Sequence, residues 1–217
     1  MAVFDWVLDP QKCLAEEEVT RLRRTLRRLA HLAAASGQRV PVRDRFVVEL
    51  ALATGLRVME IAGLNCGDVF AAGEDAWLAV RKGKGGKKRI VRFSHAFGKT
   101  YLQYLRWKQS AGETTCHVAP LLVSSNTGRH LTTRALQKAF KRSAAKAGLP
   151  RRYSIHCLRH TYACALYKAS GYNLRLVQKQ LGHARIATTQ VYADVMDTDV
   201  RKALYRLYQS TGNDRGF

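Results

Sequence analysis

Residues 154–162 read Ser-Ile-His-Cys-Leu-Arg-His-Thr-Tyr, and residues 181–193 read Leu-Gly-His-Ala-Arg-Ile-Ala-Thr-Thr-Gln-Val-Tyr-Ala. His156 and Arg159 stand three apart, so on a helix both point to one face. His183 follows Leu181-Gly182, and glycine is the usual residue just past a helix end. Tyr192 comes one short segment later. An arginine offers a fixed fork of donors that fits phosphate oxygens. A histidine donates a hydrogen bond or moves a proton. A tyrosine serves as a covalent nucleophile when something stabilises its phenolate. Taken alone, a His-x-x-Arg pair is ordinary on a solvated helix face, so the reading depends on the rest of the chain.

The charge of the chain narrows its partners. It has 217 residues, enough for one large domain or two small ones, with 37 Lys+Arg against 16 Asp+Glu and a net charge of +21. An excess of that size points to a polyanion, most often nucleic acid. A merely soluble or structural basic protein is the bland alternative. No apolar run approaches the ~20 residues of a membrane span. No signal peptide is visible, because Met1 opens an acidic, aromatic stretch. The five cysteines, Cys13, Cys66, Cys116, Cys157 and Cys164, are odd in number, scattered and without a C-x-x-C pair. They read as reduced thiols of a cytoplasmic protein rather than as a metal site.

Outward from the opening stretch, the helical spacing is strong. Glu16-Glu17-Glu18 opens a helix through about Leu32, with Leu14, Val19, Leu22, Leu26, Leu29 and Leu32 as its stripe and Arg21, Arg23, Arg24, Arg27 and Arg28 opposite. Pro41 begins a second helix with Asp44 in its first turn and Phe46, Val47, Leu50 and Ala51 buried. Thr54-Gly55-Leu56 breaks it, and Arg57 follows at the start of a short helix, with Glu60 one turn on. Residues 76–93 read as two strands around the basic, glycine-rich turn Lys82–Lys88, a hairpin. A helix over about 95–110 carries Phe97, Tyr101, Leu102, Leu105 and Trp107.

Pro120–Val123 reads as a short strand before the turn Ser125-Asn126-Thr127-Gly128. Thr132-Thr133 caps a helix with Leu136, Ala139 and Phe140 inside and Arg134, Lys138, Lys141, Arg142 and Lys146 outside, ending near Gly148-Leu149-Pro150. The His-x-x-Arg helix runs 156–170, packing Leu158, Tyr162, Ala165 and Leu166 inward. A helix at 173–181 and an amphipathic one at about 197–209 follow, the latter suited to dock on its own core or on a neighbouring copy.

The ordered set Thr-Gly-Leu-Arg57-x-x-Glu60-Ile, Gly-Lys84-Gly-x-Lys-x-Arg, His156-x-x-Arg159-His-Thr, Leu-Gly-His183 and Tyr192 resembles the catalytic domain of tyrosine recombinases, the phage integrases and Xer-type resolvases. The resemblance covers roughly residues 10–208. It implies an α+β fold, mainly helical, with a small antiparallel sheet near 76–93. It implies that Arg57 and Arg159 clamp the non-bridging oxygens of a scissile phosphate, that His183 helps them, and that Lys84 protonates the leaving 5′ oxygen. In the same scheme His156 assists proton transfer at the tyrosine, Glu60 supports the arginine framework, and Tyr192 attacks to give a 3′-phosphotyrosyl link.

Two arginines aimed at oxygens on which charge concentrates stabilise the transition state more than the ground state, and the chemistry demands neither metal nor cofactor. The expected partner is double-stranded DNA, held by a homo-oligomer that acts as a tetramer, in a nucleoid-associated, cytoplasmic setting. The family's usual N-terminal helical domain has no counterpart in residues 1–217, which read as one catalytic domain. The alternatives are a DNA-binding accessory protein of the same fold that does not recombine, and a type IB-like topoisomerase with the same chemistry on one strand.

Overall fold

A computed structural model describes residues 12–72, 75–81 and 88–182. Within them a mainly helical body carries a small antiparallel sheet, the α+β class expected above. Helix α1, Glu16–Ala35, opens on three glutamates, and the Glu18 carboxylate accepts the Ala15 amide at 2.9 Å. Leu22, Leu26, Ala30 and Ala33 form its buried stripe. Leu32, expected inside, is 60% exposed, because Ala30 and Ala33 take the inward positions of the last turns. α1 packs along α2, Arg39–Thr54, the most enclosed helix of the body, which also meets α4, α5 and α6.

α2 begins two residues before Pro41. Proline is tolerated in a first turn, where its missing N–H has no intrahelical partner to lose. Asp44 lies beyond that turn and does not serve the helix dipole. It is buried and accepts two bonds from Arg142 of α5, at 2.9 and 2.8 Å. Burial raises the Asp44 carboxyl above its ordinary range despite the Arg142 bonds.

After the short helix α3, Val58–Ala62, and a 3-10 turn at Cys66–Asp68, the chain forms strands β1, Val69–Ala72, β2, Asp75–Val80, and β3, Arg89–Arg92. They pair antiparallel in the order β1-β2-β3, with Val69 opposite Leu78 and Leu78 opposite Val91. Ala76, Leu78, Val80 and Val91 turn into the core, while Phe70 and Trp77 stack across the outer face with centroids 5.4 Å apart.

Helix α4, His95–Ser110, lays Tyr104 on Phe46 with ring centroids 3.8 Å apart. Leu102 of the same helix is 40% exposed. Lys108 of α4 is fully buried, its Nζ donating to Glu113 at 2.8 Å and to the Pro120 carbonyl at 3.3 Å. The expected strand at 120–123 is absent; Pro120 and Val123 make only single bridges, to Asn65 and His130. Helix α5, Thr133–Lys146, is capped by the Thr132 hydroxyl, which accepts from Ala135 at 3.1 Å. Helices α6, His156–Ala169, and α7, Leu174–Leu181, complete the described body. Ala165 faces outward, and Ala163 takes the buried place on α6. No disulfide links the described cysteines Cys13, Cys66, Cys116, Cys157 and Cys164; the Cys13 and Cys164 sulfurs stand 3.5 Å apart, within thiol hydrogen-bond reach. No helix among the described residues is long and apolar enough to cross a membrane.

Candidate active site

Four of the residues singled out in the sequence fall within the described part: Arg57, Glu60, His156 and Arg159. Lys84, His183, Tyr192 and the expected helix at 197–209 lie outside it. The four that can be placed come together where α2 ends, α3 begins and α6 starts.

Arg159 is the centre of the arrangement. It sits one turn into α6 and is only 7% exposed. Its guanidinium donates through one NH2 group to the Gly55 carbonyl and through the other to the Leu181 carbonyl, the latter at 3.1 Å. Gly55 precedes Arg57 by two residues, and Leu181 precedes His183 by two. One planar side chain therefore ties together three motifs that lie far apart along the chain. A guanidinium has its donors in a rigid fork, so these two carbonyls fix the plane of the group.

Glycine is required at both joints. Gly55 ends α2 at φ 61°, and a Cβ there would stand 2.3 Å from Tyr162 Cδ1. Gly182 ends α7 at φ 66°, and a Cβ there would stand 2.6 Å from Arg89 Cδ.

Arg57 occupies the cap position of α3 in extended backbone. Its amide donates to Glu60 Oε2 at 2.8 Å, and its guanidinium stands 3.4 Å from Glu60 Oε1. The Glu60 side chain is 3% exposed. Both of its oxygens also receive Arg89 of β3, at 2.7 and 2.9 Å. Burial pushes the Glu60 carboxyl up, but the Arg89 and Arg57 bonds outweigh it and hold the group below its ordinary value. Glu60 is thus ionised and buried, and it holds a second arginine that the sequence reading did not assign.

His156 is the first residue of α6. His156 is exposed at the surface; partial shielding by its neighbours first, then the positive fields of Arg159 and Arg57, lower its pKa. The same field reaches His160, which burial, Arg159 and His156 lower to about 4. Both histidines are therefore neutral at neutral pH.

Two residues that brace the elements around the site carried no assignment in the sequence. Arg89 stood in the quoted Gly-Lys-Gly-x-Lys-x-Arg motif and at the start of the expected second strand, but no role was assigned to it. Gln180 joins α7 to β3, donating to the Arg92 carbonyl and to the Tyr162 hydroxyl at 3.2 Å, and accepting the Arg92 amide at 3.3 Å. Nothing in its local sequence marked it.

Helices around a small antiparallel sheet, with one buried arginine joining the end of α2 to the end of α7, define the fold of a tyrosine-recombinase catalytic domain. The model of the phage integrase family matches residues 12–199. The chain belongs to that family. Tyrosine recombinase XerC of Neisseria meningitidis is 37% identical over 180 residues, covering 83% of this chain and 56% of the relative. Tyrosine recombinase XerD of Ralstonia nicotianae is 36% identical over 206 residues, covering 88% of this chain and 65% of the relative. The crystal structure of the XerH site-specific recombinase bound to difH substrate, a pre-cleavage complex, aligns with a TM-score of 0.67 at 27% identity, covering 84% of this chain and 50% of that one. The chain thus spans between half and two-thirds of the length of these relatives.

Proposed function

We propose that this chain cuts and rejoins double-stranded DNA as the catalytic part of a site-specific recombinase or integrase, through a 3′-phosphotyrosyl intermediate on Tyr192. The observation that carries the reading is the convergence of Arg57, His156 and Arg159 around the joint between α2, α3 and α6. The names of the relatives and the DNA substrate of XerH support it.

In this reading Arg57 and Arg159 hold the non-bridging oxygens of the scissile phosphate as the phenol arrives. The two guanidinium charges also favour the phenolate over the phenol of ordinary pKa ~10. His156, neutral at neutral pH, assists the proton as it leaves Tyr192. Lys84 protonates the 5′ oxygen as the P–O bond to the sugar breaks, and His183 adds a donor to the phosphate. The new phosphate–tyrosine bond replaces a phosphate–sugar bond, so a second 5′ hydroxyl reverses the step without ATP. The working assembly is a tetramer on DNA, with the segment at 197–209 docking on a neighbouring copy. The family resemblance supports that arrangement.

A pool of nicked duplexes with randomised sequence around the nick tests the chemistry. The loss of the short strand traps the covalent step, so the wild-type chain should yield an SDS-stable protein–DNA adduct. Tyr192→Phe should yield none while still binding duplex. An adduct that persists in Tyr192→Phe overturns the nucleophile. A wild-type chain that binds the pool but never forms an adduct is a DNA-binding accessory protein.

A further inference from the structure

We infer that Arg89 is a positioning residue for the strand-transfer reaction, acting through Glu60 on Arg57. The inference rests on the assignment of Arg57 to the scissile phosphate proposed above. Three observations carry it. First, the Glu60 carboxylate is buried and shared unequally. Arg89 takes both oxygens, at 2.7 and 2.9 Å, whereas the Arg57 guanidinium reaches one oxygen at 3.4 Å. Second, the two arginines differ in access: the Arg89 side chain is 14% exposed and that of Arg57 is 28% exposed. Third, Arg89 lies against the end of α7, where a Cβ on Gly182 would meet its Cδ, Nε and Cζ at 2.6, 2.7 and 3.0 Å.

The electrostatic consequence has a definite sign. A buried carboxylate needs a full counter-charge. Arg89 supplies it in the bidentate form that is the strongest arrangement for such a pair. Arg57 is then held by its backbone cap and by one long contact, and its guanidinium remains available to an incoming anion. Without Arg89, the whole carboxylate charge falls on Arg57. The Arg57 guanidinium would close onto Glu60, and a phosphate would have to compete with a buried anion for it. Arg89 also stands on β3, directly after the stretch that contains Lys84, and beneath the residue that precedes His183. One side chain therefore sets the base of the phosphate site from the sheet side, as Arg159 does from the helix side.

The variants Arg89→Gln, Glu60→Gln, Arg89→Gln/Glu60→Gln and Arg89→Lys test this. Glutamine at 60 keeps an oxygen for the Arg57 amide but removes the charge. The first measurement needs no DNA: the rate at which phenylglyoxal, an arginine reagent, modifies Arg57, read by peptide mass spectrometry. Arg57 should react on the order of tenfold more slowly in Arg89→Gln than in wild type, because it is drawn onto Glu60. The double variant should restore the wild-type rate, and Arg89→Lys should fall between. The second measurement is single-turnover adduct formation at saturating protein, on a duplex recovered from the pool described above. Arg89→Gln should slow it on the order of 100-fold with little change in duplex affinity, as misplacement of a binding group does. The double variant should recover at least a factor of about 10, which a merely structural loss would not do, since structural losses add.

Equal labelling of Arg57 in wild type and Arg89→Gln overturns the inference, as does a double variant no faster than Arg89→Gln. If the wild-type chain forms no adduct, the proposed reaction falls, and the labelling rates still decide whether Arg89 positions Arg57.

Discussion

Arg159 commits its guanidinium to the carbonyls of Gly55 and Leu181, and this changes what its replacement should do. Lysine keeps the charge but cannot span two carbonyls with a planar fork. Arg159→Lys should therefore lower the unfolding free energy by roughly 2 kcal/mol, the scale of a buried acceptor left unmade, and slow adduct formation more than it weakens DNA binding. Thermal melts beside single-turnover rates check both halves. His160 offers a pH test. Its folded pKa of about 4 lies below the ordinary 6.5, so between those values the unfolded chain binds a proton that the folded chain refuses. Stability should fall as pH drops through that window, and His160→Gln should flatten the fall in a plot of Tm against pH. The pairing of His156 with Arg159 was legible from a spacing of three residues. Neither the two carbonyls that hold Arg159 nor the share of Glu60 taken by Arg89 was legible, because both depend on residues brought from distant parts of the chain.

Among the elements, the helices were readable and parts of the sheet were not. α1, α4 and α5 carry clear stripes and polar starts, and the Thr132 cap falls where the sequence placed it. β1 is Val-Phe-Ala-Ala, whose two alanines carry little strand preference, and it forms because β2 offers an edge. The run at 120–123 has strand-like residues but no neighbour along its length, so it makes single bridges. Pro41 places Asp44 in the first turn by sequence; the helix opens instead at Arg39, so Asp44 lies past that turn and anchors Arg142. The joint after α2 is the element on which the site most depends. Gly55→Ala meets both a positive φ and the Tyr162 ring, and should cost roughly 3 kcal/mol, seen as a drop of several degrees in Tm. Because Arg57 stands two residues on, adduct formation should fall in the same variant even below its melting transition.

The molecule as a whole has a net charge of +21, and its cations are not all alike. Arg142 and Arg89 hold Asp44 and Glu60, and Lys141 donates to the carbonyls of Arg151 and Tyr153, both at 2.6 Å. Others, such as Arg24, Arg27, Arg28 and Arg45, line a cavity of about 580 Å³ between α1, α2 and α4, away from the end of α2 where Arg57 stands. Composition predicted a polyanion partner without separating structural cations from those open to solvent. The test is the salt dependence of binding to a duplex of arbitrary sequence. Affinity should fall by on the order of 1,000-fold between about 50 and 200 mM salt if several phosphates are contacted at once. A flat profile would mean that most of the excess charge never meets the DNA backbone.

The ammonium of Lys108, enclosed between Glu113 and the Pro120 carbonyl, sets this side chain apart from the exposed lysines of the chain. An acylating reagent reaches it only when the surrounding body comes apart. Its acetylation rate should trail that of exposed lysines such as Lys99 by orders of magnitude, and should rise in every variant that loosens the interior. A single tryptic peptide then reports how often the protein opens, with no engineered probe.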